Sequence, residues 1–129
     1  MLTSDIDTIR SAYAAFGRGD IPAVLDALAD DIRWTVPPVD GWGGTFEGKD
    51  AVLGFFAGLP GRYGAWNLRT EEFLDAGDRL LVLGHHEFDD GDRIPFAQIW
   101  TVRDGRAVAF DEYVDNAALL RHVVGAEVA

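Results

Sequence analysis

Apolar side chains return every three or four residues along the first stretch of the chain, at Ile6, Ile9, Tyr13 and Phe16 with Ala12 between them, until Gly17 and Gly19 interrupt the pattern. That spacing predicts one amphipathic helix. Asp20 is placed to cap a second, shorter helix, with Pro22 tolerated in its first turn and Val24, Leu25 and Leu28 turned inward. The period then changes. Ile32, Trp34 and Val36 alternate with Arg33 and Thr35, which predicts a strand that Pro37 and Pro38 stop. The stretch GWGGTFEG reads as a loop, and Asp50 as the cap of a third helix carrying Val52, Phe55, Phe56 and Leu59 and ended by PGRYG. Further strands are predicted over 66–75, 79–88, 94–103 and 106–115, with DAGD and DDGD as turns, before a short helix from Asn116.

Two helices, a strand, a helix and then an antiparallel meander predict an α+β domain with its helices on one face of a curved sheet. The 129 residues show no repeat, low-complexity tract or linker, so residues 1–129 read as a single domain. Charge narrows the partners. Eleven Lys and Arg stand against 22 Asp and Glu, a formal net charge of -11, which leaves no basic stripe for nucleic acid and disfavours an anionic membrane surface. Without cysteine there is no disulfide framework, thiolate metal site or thiol nucleophile. The start MLTSDIDTIR has neither a cationic head nor an apolar run, and no segment approaches the ~20 apolar residues of a membrane span, so a soluble cytoplasmic protein is the expectation.

Three stretches, AYAAFGRGDIPAVLDALADDIRW, TFEGKDAVLGFF and FAQIWTVRDGRAVAFDEYVD leading into the final helix, carry a family resemblance from one end of the chain to the other. The chain resembles the SnoaL-like, ketosteroid isomerase-related proteins of the nuclear transport factor 2-like (NTF2-like) superfamily. The resemblance implies a cone in which three helices close against a bent sheet and a short helix ends the chain. It also implies a homodimer, and a pocket at the wide end for a small apolar ligand.

Which acid of FDEYVD faces that pocket depends on the last hairpin. A two-residue turn at Asp104 and Gly105 pairs Arg103 with Arg106 and places Gln98 beside Asp111. A three-residue loop of Arg103, Asp104 and Gly105 instead pairs Trp100 with Val108, Gln98 with Phe110 and Phe96 with Glu112. The second register collects Phe96, Trp100, Val108, Phe110 and Val114 on one face, and a one-residue slip reverses every side chain, so hydrophobic consistency favours it. Glu112 then points inward. A carboxylate among Phe96, Phe110 and Val114 is poorly solvated, a condition that suits proton transfer, although a structural acid satisfied by a backbone N–H or a histidine has the same surroundings.

His85 and His86 are adjacent on a strand and face opposite sides, so one of them looks inward, within reach of Gln98 or Glu112. Gln98 has the donors and acceptors to polarise a carbonyl oxygen, and Trp34, Trp42, Phe55, Phe96, Trp100 and Phe110 supply apolar walls. Asp115 precedes the terminal helix, where an N-cap is its ordinary role, and is the reserve acid. His85 and Glu87 with Asp89 and Asp92 make a poor metal site, because no second histidine joins them; no metal or cofactor is expected. In steroid isomerases of the resembling fold, a first-helix tyrosine, an acid near the first strand and a sheet acid share the work. The anchors GRGD and ALADD place Ala12, Val36 or a neighbour, and Gln98 at those positions, so two of the three roles are missing. Polyketide cyclases and limonene epoxide hydrolases of this fold draw acids from later strands, which suits Glu112. The resulting expectation is acid/base chemistry on an apolar carbonyl compound by an isomerase or cyclase, with a non-catalytic binding module and an epoxide hydrolase as the other readings.

Overall fold

The computed structural model describes residues 1–39 and 41–124. Its elements run α1 (Thr3–Gly17), α2 (Ile21–Asp26), β1 (Leu28–Val39), β2 (Trp42–Glu47), α3 (Lys49–Tyr63), β3 (Trp66–Asp75), β4 (Arg79–Phe88), β5 (Arg93–Arg103), β6 (Arg106–Val114) and α4 (Asn116–Leu120). The six strands form one curved, open sheet in the order β2-β1-β6-β5-β4-β3, antiparallel throughout except for the parallel pair β1 and β6. This is the expected α+β cone. Helices α1 and α3 lay Ile9, Ala12, Ala15, Val52, Phe56 and Leu59 against the inner face of the sheet, where Ile32, Trp34, Leu80, Val82, Trp100 and Phe110 complete the core.

Several elements differ in extent or type from the sequence expectation. GWGGTFEG is not a loop: Trp42–Glu47 pairs with β1, Thr35 opposite Thr45 and Trp34 opposite Phe46, as an edge strand. Nor do Pro37 and Pro38 stop β1, which continues to Val39. Pairing with β6 ends at Thr35 opposite Asp111, so on that side the two prolines have no neighbour that needs their missing N–H. Leu28, expected within the second helix, instead opens β1 opposite Ala107. Gly48, rather than Asp50, is the residue before α3, and Asp20 caps α2 as expected by accepting from the Ala23 N–H at 3.2 Å.

The last hairpin corrects the register argument in an instructive way. Its turn has two residues, with Asp104 at φ 54° and Gly105 at φ 78°, and Arg103 pairs Arg106. A bulge at Val108 follows, after which Trp100 faces Phe110, Gln98 faces Glu112 and Phe96 faces Val114. Relative to the expected register the turn slips the pairing by one residue and the bulge by one more. Two slips equal one side-chain period, so the faces are those expected although every pair differs.

One position on β4 admits no side chain. A Cβ on Gly84 would meet the Arg69 carbonyl oxygen at 2.0 Å and Phe96 Cζ at 2.8 Å, beside a second bulge between Thr70 and Glu72 of β3. Only glycine lets the strands approach so closely. Gly84→Ala is therefore expected to destabilise the fold by about 1–3 kcal/mol or more, because backbone must move to admit the methyl group. Chemical denaturation checks it; an unchanged midpoint would mean that the strand backbones separate freely.

Candidate functional site

The inner faces of β4, β5 and β6 bring His86, Gln98 and Glu112 together under the helices. Alternation on β4 turns His86 inward at 3% exposure and His85 outward, since successive side chains take opposite faces. Glu112 Oε2 lies 2.7 Å from Gln98 Nε2 and 3.1 Å from His86 Nε2, and accepts from both. The other histidine nitrogen, Nδ1, accepts from Trp66 Nε1 at 3.0 Å. Gln98 Oε1 accepts from the Tyr13 hydroxyl, whose oxygen in turn accepts from Trp100 Nε1 at 2.9 Å. Six side chains from α1 and four strands thus form one continuous hydrogen-bonded chain. Its centre is the carboxylate.

These groups line a cavity walled by Trp34, Trp42, Phe55, Trp100 and Phe110, and among the described residues Glu112 is its only acidic lining residue. The cavity volume is about 60 Å³, room for a few waters. Trp34 stacks on Phe110 with centroids 3.8 Å apart and meets Trp100 edge to face at 5.6 Å. Trp42 packs against Phe55 at 5.2 Å while the Arg62 guanidinium lies 3.8 Å above its ring. Burial raises the Tyr13 hydroxyl far above the usual tyrosine range, with the Trp100 hydrogen bond opposing and the Glu112 charge adding to the rise. Tyr13 therefore remains a neutral donor. The Trp34 indole nitrogen is buried and has no hydrogen-bond partner among the described residues.

Not every expected site residue is here. His85 lies on the outer face of the sheet, where its ring bonds Glu71 at 2.5 Å and Glu87 at 3.4 Å. Its hydrogen bond holds the Glu87 carboxyl below the ordinary glutamate range, with Arg69 and Arg93 adding to the effect. His85→Ala is accordingly expected to move Glu87 back up toward that range in a carboxyl-carbon NMR titration; an unmoved Glu87 would assign its shift to the arginines. Asp115 caps α4 by accepting from the Ala118 N–H at 3.1 Å. Phe96 is buried at 4% exposure but is not a cavity wall, because its ring covers Gly84 and meets His86 at 5.3 Å. Among the described residues no cluster of three or more His, Asp or Glu is arranged to hold a metal ion.

Sequence reasoning missed Tyr13 and Trp66. In sequence Tyr13 falls within the apolar stripe of α1, and Trp66 is only the first residue of a strand. A signal was available, since a buried tyrosine hydroxyl or indole N–H needs a polar partner.

Comparison with known proteins agrees with this architecture. The family model described as a SnoaL-like domain matches residues 9–110. An NTF2-like protein of unknown function from Burkholderia pseudomallei is 35% identical over 96% of this chain and 100% of its own, with a TM-score of 0.86. TerC, co-crystallized with polyporic acid, is 31% identical over 93% of this chain and 98% of its own, with a TM-score of 0.85. A SnoaL-like protein from Jannaschia, at 16% identity over 97% of this chain and 94% of its own, shares the fold with a TM-score of 0.77. An uncharacterized protein of Mycobacterium tuberculosis is 36% identical over 50 residues, and that match spans 39% of this chain and 38% of the relative.

Proposed function

Because the chain belongs to the SnoaL-like domain family, we propose that it is a cofactor-independent enzyme of the isomerase or cyclase type, moving a proton on a small, largely apolar carbonyl compound. The observation that carries this reading is the carboxylate of Glu112, held through one oxygen by His86 and Gln98 and set in an aromatic cavity. Poor solvation and fixed geometry are what a general base needs, and both are properties of this position. The base removes a proton next to the ligand carbonyl and the protonated form returns it. His86 and Gln98 hold the carboxylate in place, and the aromatic walls exclude water.

TerC lends support as a relative seen with polyporic acid, which makes that compound the first probe. The cavity is small, so a ligand of several rings enters by parting half-buried walls such as Trp42 and Phe55. Polyporic acid and a panel of planar aromatic ketones are screened by thermal shift, where a ligand at ~100 times its dissociation constant stabilises the fold by ~2.7 kcal/mol. Each hit is then followed for turnover. A hit that binds and is never converted favours a non-catalytic binding module; no hit, with no ligand recovered by mass spectrometry from native protein, counts against an apolar ligand. The same reading includes a homodimer, for which the outer sheet face offers Leu81, Leu83, Ile99 and the 61% exposed Tyr113. Sedimentation at micromolar concentration tests it, a monomer being the contrary result.

A further inference from the structure

Both arms of the hydrogen-bonded chain that meet at Glu112 begin at an indole, and an indole N–H can only donate. On one arm Trp100 donates to the Tyr13 oxygen, so the Tyr13 proton is directed to its other neighbour, Gln98 Oε1. That sets the orientation of the carboxamide. Gln98 Nε2 must face Glu112 Oε2, as its 2.7 Å separation has it. On the other arm Trp66 donates to His86 Nδ1 at 3.0 Å, with the two ring planes within 21° of each other, so Nδ1 is the acceptor and the imidazole proton sits on Nε2. That proton also points at Glu112 Oε2. Two N–H groups thus converge on Oε2, which leaves it no place for a proton of its own. Among the described residues Oε1 has no hydrogen-bond partner, and the Glu112 side chain keeps 9% of its surface exposed.

We infer that Trp66 and Trp100 are positioning residues that set the direction of the whole network, so that Glu112 Oε1 is the atom through which the protein exchanges a proton with its ligand and His86 is held as a neutral Nε2–H donor. The inference rests on the acid/base reading of Glu112 and deepens it, because it removes His86 from the proton-transferring groups. For His86 to give up its Nε2 proton it would have to gain one at Nδ1, where the Trp66 N–H already stands. The step balances on one residue. A C–H bond next to the ligand carbonyl breaks as an O–H bond forms at Oε1, leaving an enolate and a neutral Glu112; the same O–H then breaks as the proton returns to the ligand, restoring the carboxylate.

The test uses the ligand-free protein labelled with ¹⁵N at histidine. Long-range proton–nitrogen spectra of the wild type near neutral pH are expected to show His86 with Nε2 protonated and Nδ1 bare, while His85 and His122 serve as reference signals. In Trp66→Phe the lock is absent, and the single-tautomer signature is expected to be lost to a mixture with Nδ1–H or imidazolium. A protonated Nδ1 in the wild type, or an unchanged tautomer in Trp66→Phe, would overturn the inference. If that variant does not fold, the wild-type spectrum still decides the tautomer. Tyr13→Phe then tests the other arm, since it frees the Gln98 carboxamide to rotate and its side-chain N–H signals should lose their exchange protection; protection equal to wild type would count against the inference. Neither readout depends on turnover. Full activity in Glu112→Gln with the tautomer pattern intact would overturn the acid/base reading alone, whereas a reversed pattern would overturn the network direction alone.

Discussion

Glu112→Gln is expected to lower turnover of a converted ligand by on the order of 10² to 10⁴ while affinity changes little. The network explains why the substitution is clean. Because His86 and Gln98 both donate to Oε2, the carbonyl oxygen of the new amide can take that place and keep both hydrogen bonds, while its NH₂ group occupies the position of Oε1. Shape is kept and the proton acceptor is gone. Stability should therefore remain near wild type, which separates this variant from one that loses activity by unfolding. Steady-state kinetics with the first converted ligand decides. Equal rates in wild type and Glu112→Gln would mean that Glu112 is a structural acid, and loss of binding without loss of rate would assign it to ligand recognition.

The fold was legible from periodicity because most of its elements are long and half-buried, which is where alternation and helical spacing speak clearly. The edge was not. Gly41, Gly43 and Gly44 made β2 look like a loop, but an edge strand tolerates glycines at positive φ, and the alternation of Trp42, Gly44 and Phe46 was the signal that outweighed them in the folded chain. The hairpin shows a different limit. Hydrophobic consistency could decide which side chains share a face, since that depends only on whether a slip is odd or even, yet it could not distinguish one loop from a tighter turn plus a bulge.

At the site the limit was directional. Sequence puts Glu112 and Gln98 on one face with one of His85 and His86 in reach, without choosing between the two histidines; the structure turns His86 to them on the neighbouring strands. Sequence assigns Gln98 to a ligand oxygen, whereas in the structure Gln98 spends its carbonyl on Tyr13 and an N–H on Glu112. Which partner a carboxamide or an imidazole takes depends on donors brought in from elsewhere. Of the donors that decide it here, Trp100 reads from sequence only as an apolar wall and Trp66 only as the start of a strand. Ala12 and Tyr13 both line the cavity, and Tyr13 brings a hydroxyl into it from α1.

Trp34→Ala is expected to cost about 3–5 kcal/mol, a large share of the ~5–15 kcal/mol that holds a domain of this kind folded. Trp34 is 6% exposed on β1, stacked on Phe110 and met edge-on by Phe56 at 5.2 Å and Trp100 at 5.6 Å, so its ring joins α3 to three strands of the sheet. Rings fixed from several sides collapse poorly into the void. Trp34→Phe should cost clearly less, since it keeps a ring on Phe110 and removes a buried indole N–H that has no partner among the described residues, a group whose desolvation alone costs about 1–3 kcal/mol. Urea unfolding of both variants reads the difference as a fall in midpoint at similar slope. If Trp34→Ala lowered stability by less than ~1 kcal/mol, the aromatic wall would be a loose lining. If Trp34→Phe cost as much as Trp34→Ala, the indole nitrogen would have a stabilising partner and the polar inventory of the cavity would need one more donor.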